Sequence, residues 1–214
     1  MKVLVAGANG STGRSILNHL GKNDNHEAIA MVRDNSQAET LEKLGASTTI
    51  LADLEKELDH AVEGCDAIIF AAGSGSKTGP DKTTLVDEQG AIKLIEAAEK
   101  HGVKRFVMLS TVGADKPEVG SDDMKHYYKS KGNADEKLIN SSLVYTIVRP
   151  GRLSYDSGNG KIRIAEKLED YSGDIPREDV AKVIVESLDV QNTHGKIFEI
   201  LTGDQDINEA LKSL

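Results

Sequence analysis

The sequence predicts an α/β fold with a doubly wound parallel sheet, and three observations predict it. Short segments of strand length alternate with amphipathic segments of helix length along the chain. The first segment, residues 3–6, is apolar at every position, which is typical of a strand buried on both faces of a parallel sheet. A glycine-rich turn follows at once and opens an amphipathic stretch. Such alternation favours a parallel sheet with helices on both faces.

Each element has a local signal. Segments of strand length and composition are residues 3–6, 27–33, 47–51, 66–70, 103–109, 144–148 and 197–201. Amphipathic spacing predicts a helix that ends at Gly21, and further helices over residues 37–44, 81–101, 122–140 and 176–188. Gly102 is a helix stop, and Pro176 suits the first position of a helix. We find no repeat or linker, so the sequence predicts one domain over residues 1–214, with a small substrate-side segment after the sixth strand.

Composition and charge exclude several classes of function. Lys and Arg number 26 against 35 Asp and Glu, which gives a formal net charge of −9. An acidic chain without clustered cations predicts no nucleic-acid partner and no binding to an anionic membrane. Cys65 is the single cysteine, so no intrachain disulfide can form and a reducing, cytoplasmic location is expected. The six histidines show no metal-ligand spacing, so no metal site is predicted.

The strongest motif is a GxxGxxG loop placed directly between the first strand and the first helix. In a dinucleotide site the first glycine allows the tight turn, the second lets the backbone approach the pyrophosphate, and the third lets helix and strand pack closely. The free amides of the helix N-terminus then favour the phosphates. The loop residues expected to contact a dinucleotide are Gly7, Asn9, Gly10, Ser11, Thr12 and Gly13. The motif therefore predicts a Rossmann fold.

The end of the second strand indicates which dinucleotide binds. Sites specific for NAD place an acidic residue there to bind the ribose 2′-hydroxyl. Arg33 occupies that place, and a guanidinium suits the 2′-phosphate of NADP. Asp34 follows directly, which leaves NAD as the less favoured alternative.

The chain resembles the short-chain dehydrogenase/reductase superfamily, in its atypical branch of NmrA-like and biliverdin/flavin-reductase-like proteins. The resemblance rests on the order and spacing of motifs through nearly the whole chain. These are the glycine loop, Ala52-Asp53-Leu54, Ala71-Ala72-Gly73, Gly102-Val103-Lys104-Arg105-Phe106-Val107, Tyr127 with Lys131, Val148-Arg149-Pro150-Gly151, and Asp174-Ile175-Pro176-Arg177-Glu178-Asp179-Val180-Ala181. It implies an NAD(P)-binding Rossmann protein.

The resemblance also implies further contacts with the cofactor. Asp53 and Leu54 would border the adenine, although Asp53 is also a plausible loop or helix-cap residue. The chain would pass close to the adenosine ribose at Ala71, Ala72 and Gly73. Small residues after a strand do allow a ligand to approach the backbone at the carboxyl edge of the sheet. Pro150 would lie beside the nicotinamide.

Tyr127 and Lys131 are the catalytic candidates, because a spacing of four places both on one face of the predicted helix. An ammonium near the phenol would lower the pKa of Tyr127 and make it a better acid–base catalyst. In the family the lysine also holds the nicotinamide ribose. Ser110 and Thr111 follow the fifth strand, where the family places a hydroxyl that binds the substrate oxygen, and the sequence leaves both open. Asp87 stands near the place where related enzymes carry an asparagine.

Two functions remain open at this point. The first is an NADP-dependent oxidoreductase that transfers hydride to a small carbonyl, quinone or flavin substrate. The second is a non-catalytic NADP(H)-binding redox sensor that acts through a protein partner. The short segment after the sixth strand predicts a shallow substrate pocket, capped by residues 154–161 and by residues 114–124. The sequence does not name the substrate.

Overall fold

The main sheet is parallel and doubly wound, as the sequence predicts. The structure, a computed structural model, describes residues 1–75 and 78–214. Its strands are β1 (Lys2–Ala6), β2 (Glu27–Val32), β3 (Thr48–Leu51), β4 (Ala67–Phe70), β5 (Arg105–Leu109), β6 (Val144–Pro150), β7 (Arg152–Ser154), β8 (Lys161–Ala165), β9 (Asp174–Pro176), β10 (Lys196–Thr202) and β11 (Gln205–Asp206). Within the described residues nine strands form one sheet in the order β3-β2-β1-β4-β5-β6-β10-β8-β11. All neighbours from β3 to β10 are parallel, while β8 and β11 add an antiparallel edge.

The helices connect the parallel strands. They are α1 (Ser11–Leu20), α2 (Ala38–Lys43), α3 (Asp59–Val62), α4 (Pro80–Lys82), α5 (Ala91–Lys100), α6 (Asp122–Ile139), α7 (Arg177–Glu186) and α8 (Ile207–Lys212). The predicted long helix over residues 81–101 has the right position, but its middle, Thr83–Gly90, is a π-helix between α4 and α5. Such segments occur often at functional sites. Among the helices of the described ranges, none is long and apolar enough to cross a membrane.

Two hydrophobic cores lie on opposite faces of the sheet. Val3 and Val5 of β1 point into the core that α1, α7 and α8 cover, whereas Leu4 and Ala6 point into the core covered by α3, α5 and α6. All four of these side chains are fully buried. Alternate side chains of a strand point to opposite faces, so a strand with helices on both sides must be apolar throughout.

The sequence predicted too few secondary-structure elements after residue 150. It predicted one final strand, whereas the structure adds β7, β8, β9, β11 and α8. The pair β7 and β9 forms a separate two-stranded parallel sheet, with only three residues in each strand. Strands this short show no measurable hydrophobic period, which is why the pattern missed them. The prediction for residues 176–188 also shifts slightly, because Pro176 ends β9 and α7 begins at the next residue.

Candidate functional site

The glycine loop has the geometry that close packing demands. Gly7 has a φ of +84°, and a Cβ there would lie 2.5 Å from the backbone nitrogen of Ala72. A Cβ on Gly13 would lie 2.1 Å from the carbonyl oxygen of Gly7. Gly10 is less crowded, since a Cβ there would come no closer than 3.3 Å to the same oxygen. The first and third glycines therefore close the strand–helix junction, and the second lies at its more open side.

The N-terminus of α1 offers backbone donors to an anion. The first intrahelical bond runs from Arg14 N to Gly10 O at 2.9 Å, so the amides of Ser11, Thr12 and Gly13 precede it. Within residues 1–75 the helix has neither a side-chain cap nor an acidic residue in its first turn. Unpaired first-turn amides and the helix dipole favour phosphate groups. The loop thus fits the pyrophosphate of a dinucleotide.

Arg14 is a loop contact that the sequence did not single out. Its guanidinium donates to the side-chain oxygen of Asn9, from Nη2 at 2.6 Å and from Nε at 3.2 Å. Nε also donates to the backbone oxygen of Asn9 at 3.1 Å. Asn9 is therefore held from the first turn of α1. The spacing of five residues across the loop is not a recognised signal, so only the structure could find this contact.

Two charged residues follow β2: Arg33 is exposed, and Asp34 forms a hydrogen bond within the next turn. Arg33 is exposed, and the described part of the chain gives it no hydrogen bond or ion pair. Asp34 accepts a hydrogen bond from Ser36 N at 2.8 Å and caps the short 3-10 turn that follows. This bond also lowers the pKa of Asp34. The guanidinium is thus the free charge at this place, and the carboxylate is engaged.

The two residues expected to border the adenine, Asp53 and Leu54, both contact other parts of the protein. Asp53 accepts from Glu55 N at 3.0 Å, which is the turn-capping role considered above as its alternative. Leu54 is only 6% exposed and packs closely on Gly90 of the π-helix, where a Cβ would lie 2.8 Å from the Leu54 Cβ. Contact of either residue with an adenine stays a prediction.

The chain after β4 runs directly beside the glycine loop. Ala71 N donates to Ala6 O at 2.9 Å, which continues the β1–β4 pairing. Beyond Ala72 and Gly73, the Ser74 amide donates to Asp87 Oδ2 at 2.9 Å. Asp87 comes from the π-helix and is 2% exposed. The small residues 71–73 thus lie between the glycine loop and a buried carboxylate.

The carboxyl ends of β5 and β6 are joined by backbone hydrogen bonds that continue past β5. Ser110 N donates to Val148 O at 2.8 Å, and Val112 N donates to Pro150 O at 3.0 Å. Thr111, between these two donors, is thereby fixed opposite the end of β6. Pro150, expected at the nicotinamide end, is the last residue of β6.

Tyr127 lies on the first half of α6 and is partly buried. Burial raises the pKa of Tyr127 well above its usual value, and the charges of Asp87, Tyr128 and Asp135 act in the same direction. The side chain of Thr111 interacts with the phenol and acts in the opposite direction. The expected lowering of this pKa by a neighbouring ammonium is therefore wrong for this state of the protein. The phenol stays protonated at neutral pH.

Lys131 lies one turn further along α6 and is 2% exposed. Its ammonium donates to Leu109 O at 2.7 Å and lies 5.6 Å from the centroid of the Phe70 ring. Burial lowers the pKa of Lys131, and the negative charges of Asp87 and Asp135 oppose that change. The lysine is thus aimed at the end of β5 between two carboxylates, and its hydrogen bond goes to the backbone rather than to the phenol.

The structure separates the two hydroxyl candidates. Ser110 is 4% exposed, and its Oγ donates to Asp135 Oδ2 at 2.7 Å. The Thr111 side chain instead interacts with the Tyr127 phenol, and its Oγ1 donates to Val112 O at 3.2 Å. The Ser110 hydroxyl is thus engaged in the interior, so the structure favours Thr111 of the two, and contact of either hydroxyl with a substrate oxygen stays a prediction. Asp135 was missed, although its spacing of four from Lys131 was a usable signal.

A cavity of about 310 Å³ lies between α6, the chain after β5 and the end of β6. The residues that line it are Ala114, Asp115, Pro117, Lys129, Gly132, Asn133, Asp135, Glu136, Ile139 and Arg149. Thr111 and Tyr127 are not among them, so this cavity is not the space in front of the phenol. In the described ranges no group of three or more His, Cys, Asp or Glu side chains is arranged to hold a metal ion.

Comparison with known proteins agrees with this geometry. The family model described as NAD(P)H-binding matches residues 7–191. YhfK of Bacillus subtilis, named as an uncharacterized sugar epimerase, is 46% identical over 100% of both chains. A solved structure from Bacillus halodurans, named for an NAD-dependent epimerase/dehydratase, is 48% identical, with 100% of both chains covered and a TM-score of 0.97. The oxidoreductase ylbE of Lactococcus lactis is 34% identical over 100% of this chain and 96% of its own, with a TM-score of 0.86.

Fold, glycine loop and comparisons define an NAD(P)-binding, oxidoreductase-like Rossmann protein of the atypical short-chain dehydrogenase/reductase kind. The chain belongs to the NAD(P)H-binding family whose model matches 185 of its 214 residues, counted from residue 7 to residue 191.

Proposed function

We propose that the protein is an NADPH-dependent reductase that transfers a hydride to a small carbonyl, quinone or flavin compound. The geometry that carries this proposal is the Tyr127 phenol beside Thr111 together with the buried Lys131 on the same helix, at the sheet edge where the glycine loop opens. The oxidoreductase name of the Lactococcus lactis relative supports the same class of reaction.

The dinucleotide would be held from three sides. The amides of Ser11, Thr12 and Gly13 would bind the pyrophosphate, and the backbone of residues 71–73 would border the adenosine ribose. Pro150 and Lys131 would hold the nicotinamide end, and the bound reduced nicotinamide would supply the hydride.

The choice of NADP over NAD rests on the end of β2. Arg33 is exposed and uncommitted within the described chain, whereas the carboxylate of Asp34 caps a turn. A ribose 2′-hydroxyl would need that carboxylate, and a 2′-phosphate would need the guanidinium. The local hydrogen bonding thus favours the phosphorylated cofactor.

The protonation state of Tyr127 favours reduction over oxidation. A substrate carbonyl that receives hydride must gain a proton on its oxygen, and a protonated phenol can donate it. Thr111 would hold the same oxygen by a hydrogen bond. Sugar epimerisation begins with the opposite step, in which the tyrosine takes a hydroxyl proton and must first be ionised. The raised pKa of Tyr127 disfavours that step, although two close relatives carry epimerase names.

The first experiment is calorimetric titration with NADP⁺, NADPH, NAD⁺ and NADH. We expect both phosphorylated forms to bind at least about tenfold more tightly than the others, and Arg33→Ala to remove most of that preference. A preference for NAD(H) would overturn the assignment of the cofactor. If NADP⁺ and NADPH differed more than about tenfold and no acceptor oxidised NADPH, the redox sensor would replace the reductase.

The second experiment follows NADPH oxidation with a carbonyl, a quinone and a flavin acceptor. Tyr127→Phe should lower turnover with the carbonyl or quinone at least about hundredfold, because the proton donor is lost. Tyr128→Phe is the matched control, since its ring lies 5.9 Å from that of Tyr127 and packs beneath Gly113 and Gly120. Flavin reduction needs no phenol proton and should survive. Unchanged carbonyl reduction in Tyr127→Phe would show that the tyrosine mechanism is wrong.

A further inference from the structure

Asp135 accepts three hydrogen bonds, one from the residue that follows β5 and two from a residue of β6. Its Oδ2 accepts from Ser110 Oγ at 2.7 Å, from Arg149 Nε at 3.1 Å and from Arg149 Nη2 at 3.0 Å. The side chain of Asp135 is 1% exposed and that of Arg149 is 11% exposed. One carboxylate oxygen of α6 therefore binds both the chain at the end of β5 and strand β6.

Each member of this group is a close neighbour of a site residue. Ser110 precedes Thr111, and Arg149 precedes Pro150. Asp135 follows Lys131 by one helical turn, so both lie on the inner face of α6. The three side chains thus join the three elements that carry the hydroxyl, the ammonium and the nicotinamide-end proline.

We propose that Ser110, Asp135 and Arg149 form a positioning clamp that fixes α6 against the carboxyl ends of β5 and β6. The clamp rests on the proposed function, because it serves the nicotinamide end of the same site. Its members are positioning residues and contact neither cofactor nor substrate.

Backbone bonding explains why α6 needs such a clamp. The ends of β5 and β6 already hold each other through Ser110 N to Val148 O and Val112 N to Pro150 O. A helix has no backbone donors left for the sheet, so only side chains can fix its height and rotation. Apolar contacts permit small sliding motions, whereas three converging hydrogen bonds fix one position.

Burial of the group indicates a role other than stability. Removing two charges from water commonly offsets most of what an ion pair gains, and an apolar pair of similar volume often stabilises as well. The group also carries a second cost to stability, because Asp135 Oδ1 is buried and has no hydrogen-bond partner in the described part of the chain. Retaining ions at such a place is reasonable where fixed geometry matters, as it does for groups that must meet a reacting carbonyl.

The test compares two ligands in the whole protein. NADPH reaches the nicotinamide end, whereas 2′-phospho-ADP-ribose has the same phosphates and adenosine but no nicotinamide. We expect Ser110→Ala and Asp135→Asn to weaken NADPH about tenfold, which is the effect of one hydrogen bond to a charged group. Binding of 2′-phospho-ADP-ribose should stay unchanged. Ser130→Ala is the matched control, because its hydroxyl is equally buried beside Lys131 but has no partner in the described chain.

The outcomes separate the clamp from the proposed function. Equal weakening of both ligands in Ser110→Ala would mean a general structural role and would overturn the clamp while leaving the cofactor site intact. Unchanged binding of both ligands in Ser110→Ala and Asp135→Asn would also overturn it. If wild-type protein bound neither ligand, the proposed function would fail, and the clamp with it. Ser110→Ala removes only a hydroxyl, so it is informative even if Asp135→Asn folds poorly.

Discussion

Two buried arginines lie at opposite ends of neighbouring strands and have different partners. Arg105 begins β5 and is 5% exposed. It donates to neutral oxygens, namely Phe106 O, Val144 O, Thr146 Oγ1, Ser187 O and Thr193 Oγ1. Burial lowers its pKa to about 10. Arg149, near the end of β6, instead contacts two carboxylates, Asp135 at 3.0 Å and Asp115 at 3.7 Å.

The difference follows from what each edge of the sheet must do. At the amino edge, neutral oxygens fix the guanidinium and join β5, β6 and the end of α7 without placing a second charge in the core. At the carboxyl edge, Arg149 pairs with Asp135, and the charges of Asp135 and Asp87 both act on Lys131, so several charges lie close to the candidate site. The same residue type therefore stabilises the fold at one edge and places charge and geometry at the other.

The largest expected effect comes from Arg149→Met, which leaves Asp135 buried without its cation. Burial already raises the pKa of Asp135, and Arg149 is the first of the groups that oppose the rise. In the variant the folded protein keeps a proton on Asp135 at a pH where the unfolded chain has lost it. The variant is therefore most stable below about pH 4, where Asp135 is protonated in both the folded and the unfolded chain. Its unfolding free energy then falls as pH rises through the raised pKa of Asp135 in the folded state.

We expect Arg149→Met to lose about 4 kcal/mol of unfolding free energy at neutral pH and less in acid, by urea denaturation at about pH 5 and pH 8. The double variant Arg149→Met with Asp135→Asn should lose most of this pH dependence, because the carboxylate is gone. Equal losses at both pH values in the single variant would contradict the interpretation.

Arg105→Met should lower the unfolding free energy less than Arg149→Met does, because it leaves no buried charge without a partner. It leaves buried carbonyl and hydroxyl oxygens without a donor, which costs about 2 kcal/mol in unfolding free energy. Several of these oxygens keep another partner; Ser187 O, for example, also accepts from Thr193 Oγ1 at 3.0 Å. NADPH affinity of the folded variant should stay as in the wild type. A tenfold loss of NADPH affinity in Arg105→Met would remove the distinction between the two edges.

The sequence could predict the alternation of strands and helices and the glycine loop because these depend on local patterns. Continuous apolar strands, glycines at fixed spacing and helix stops are written in neighbouring residues. The carboxyl-edge cluster depends on pairing between distant residues, such as Asp135 with Ser110, which are 25 positions apart. Burial also decides the sign of the pKa shift of Tyr127, and burial depends on the packed fold. The spacing of Tyr127 and Lys131 was therefore found, but their electrostatic relation was not.

The smallest expected effect is spectroscopic and joins the carboxyl-edge cluster to the candidate site. Burial and the charge of Asp87 raise the pKa of Tyr127, and Asp135 contributes in the same direction. The difference in phenolate absorbance between wild type and Tyr127→Phe should therefore stay flat through about pH 10, where a free tyrosine ionises. The folded state holds the phenol proton of Tyr127 more tightly than the unfolded chain does. This proton therefore contributes to stability, and the contribution is lost only as pH rises above about 10.

The same titration in three variants distinguishes the edges. Asp87→Asn should lower the pKa of Tyr127 most, Asp135→Asn should lower it by a smaller amount, and Arg105→Met should leave it unchanged, since Asp87 acts more strongly on the phenol than Asp135 does. Each comparison uses its own Tyr127→Phe partner as the reference, so the other four tyrosines cancel. Ionisation of Tyr127 near pH 10 in the wild type would mean that the phenol is neither buried nor faced by these carboxylates. Reduction would then lose its electrostatic advantage over epimerisation, because a tyrosine with an ordinary pKa loses its proton more readily than a buried one.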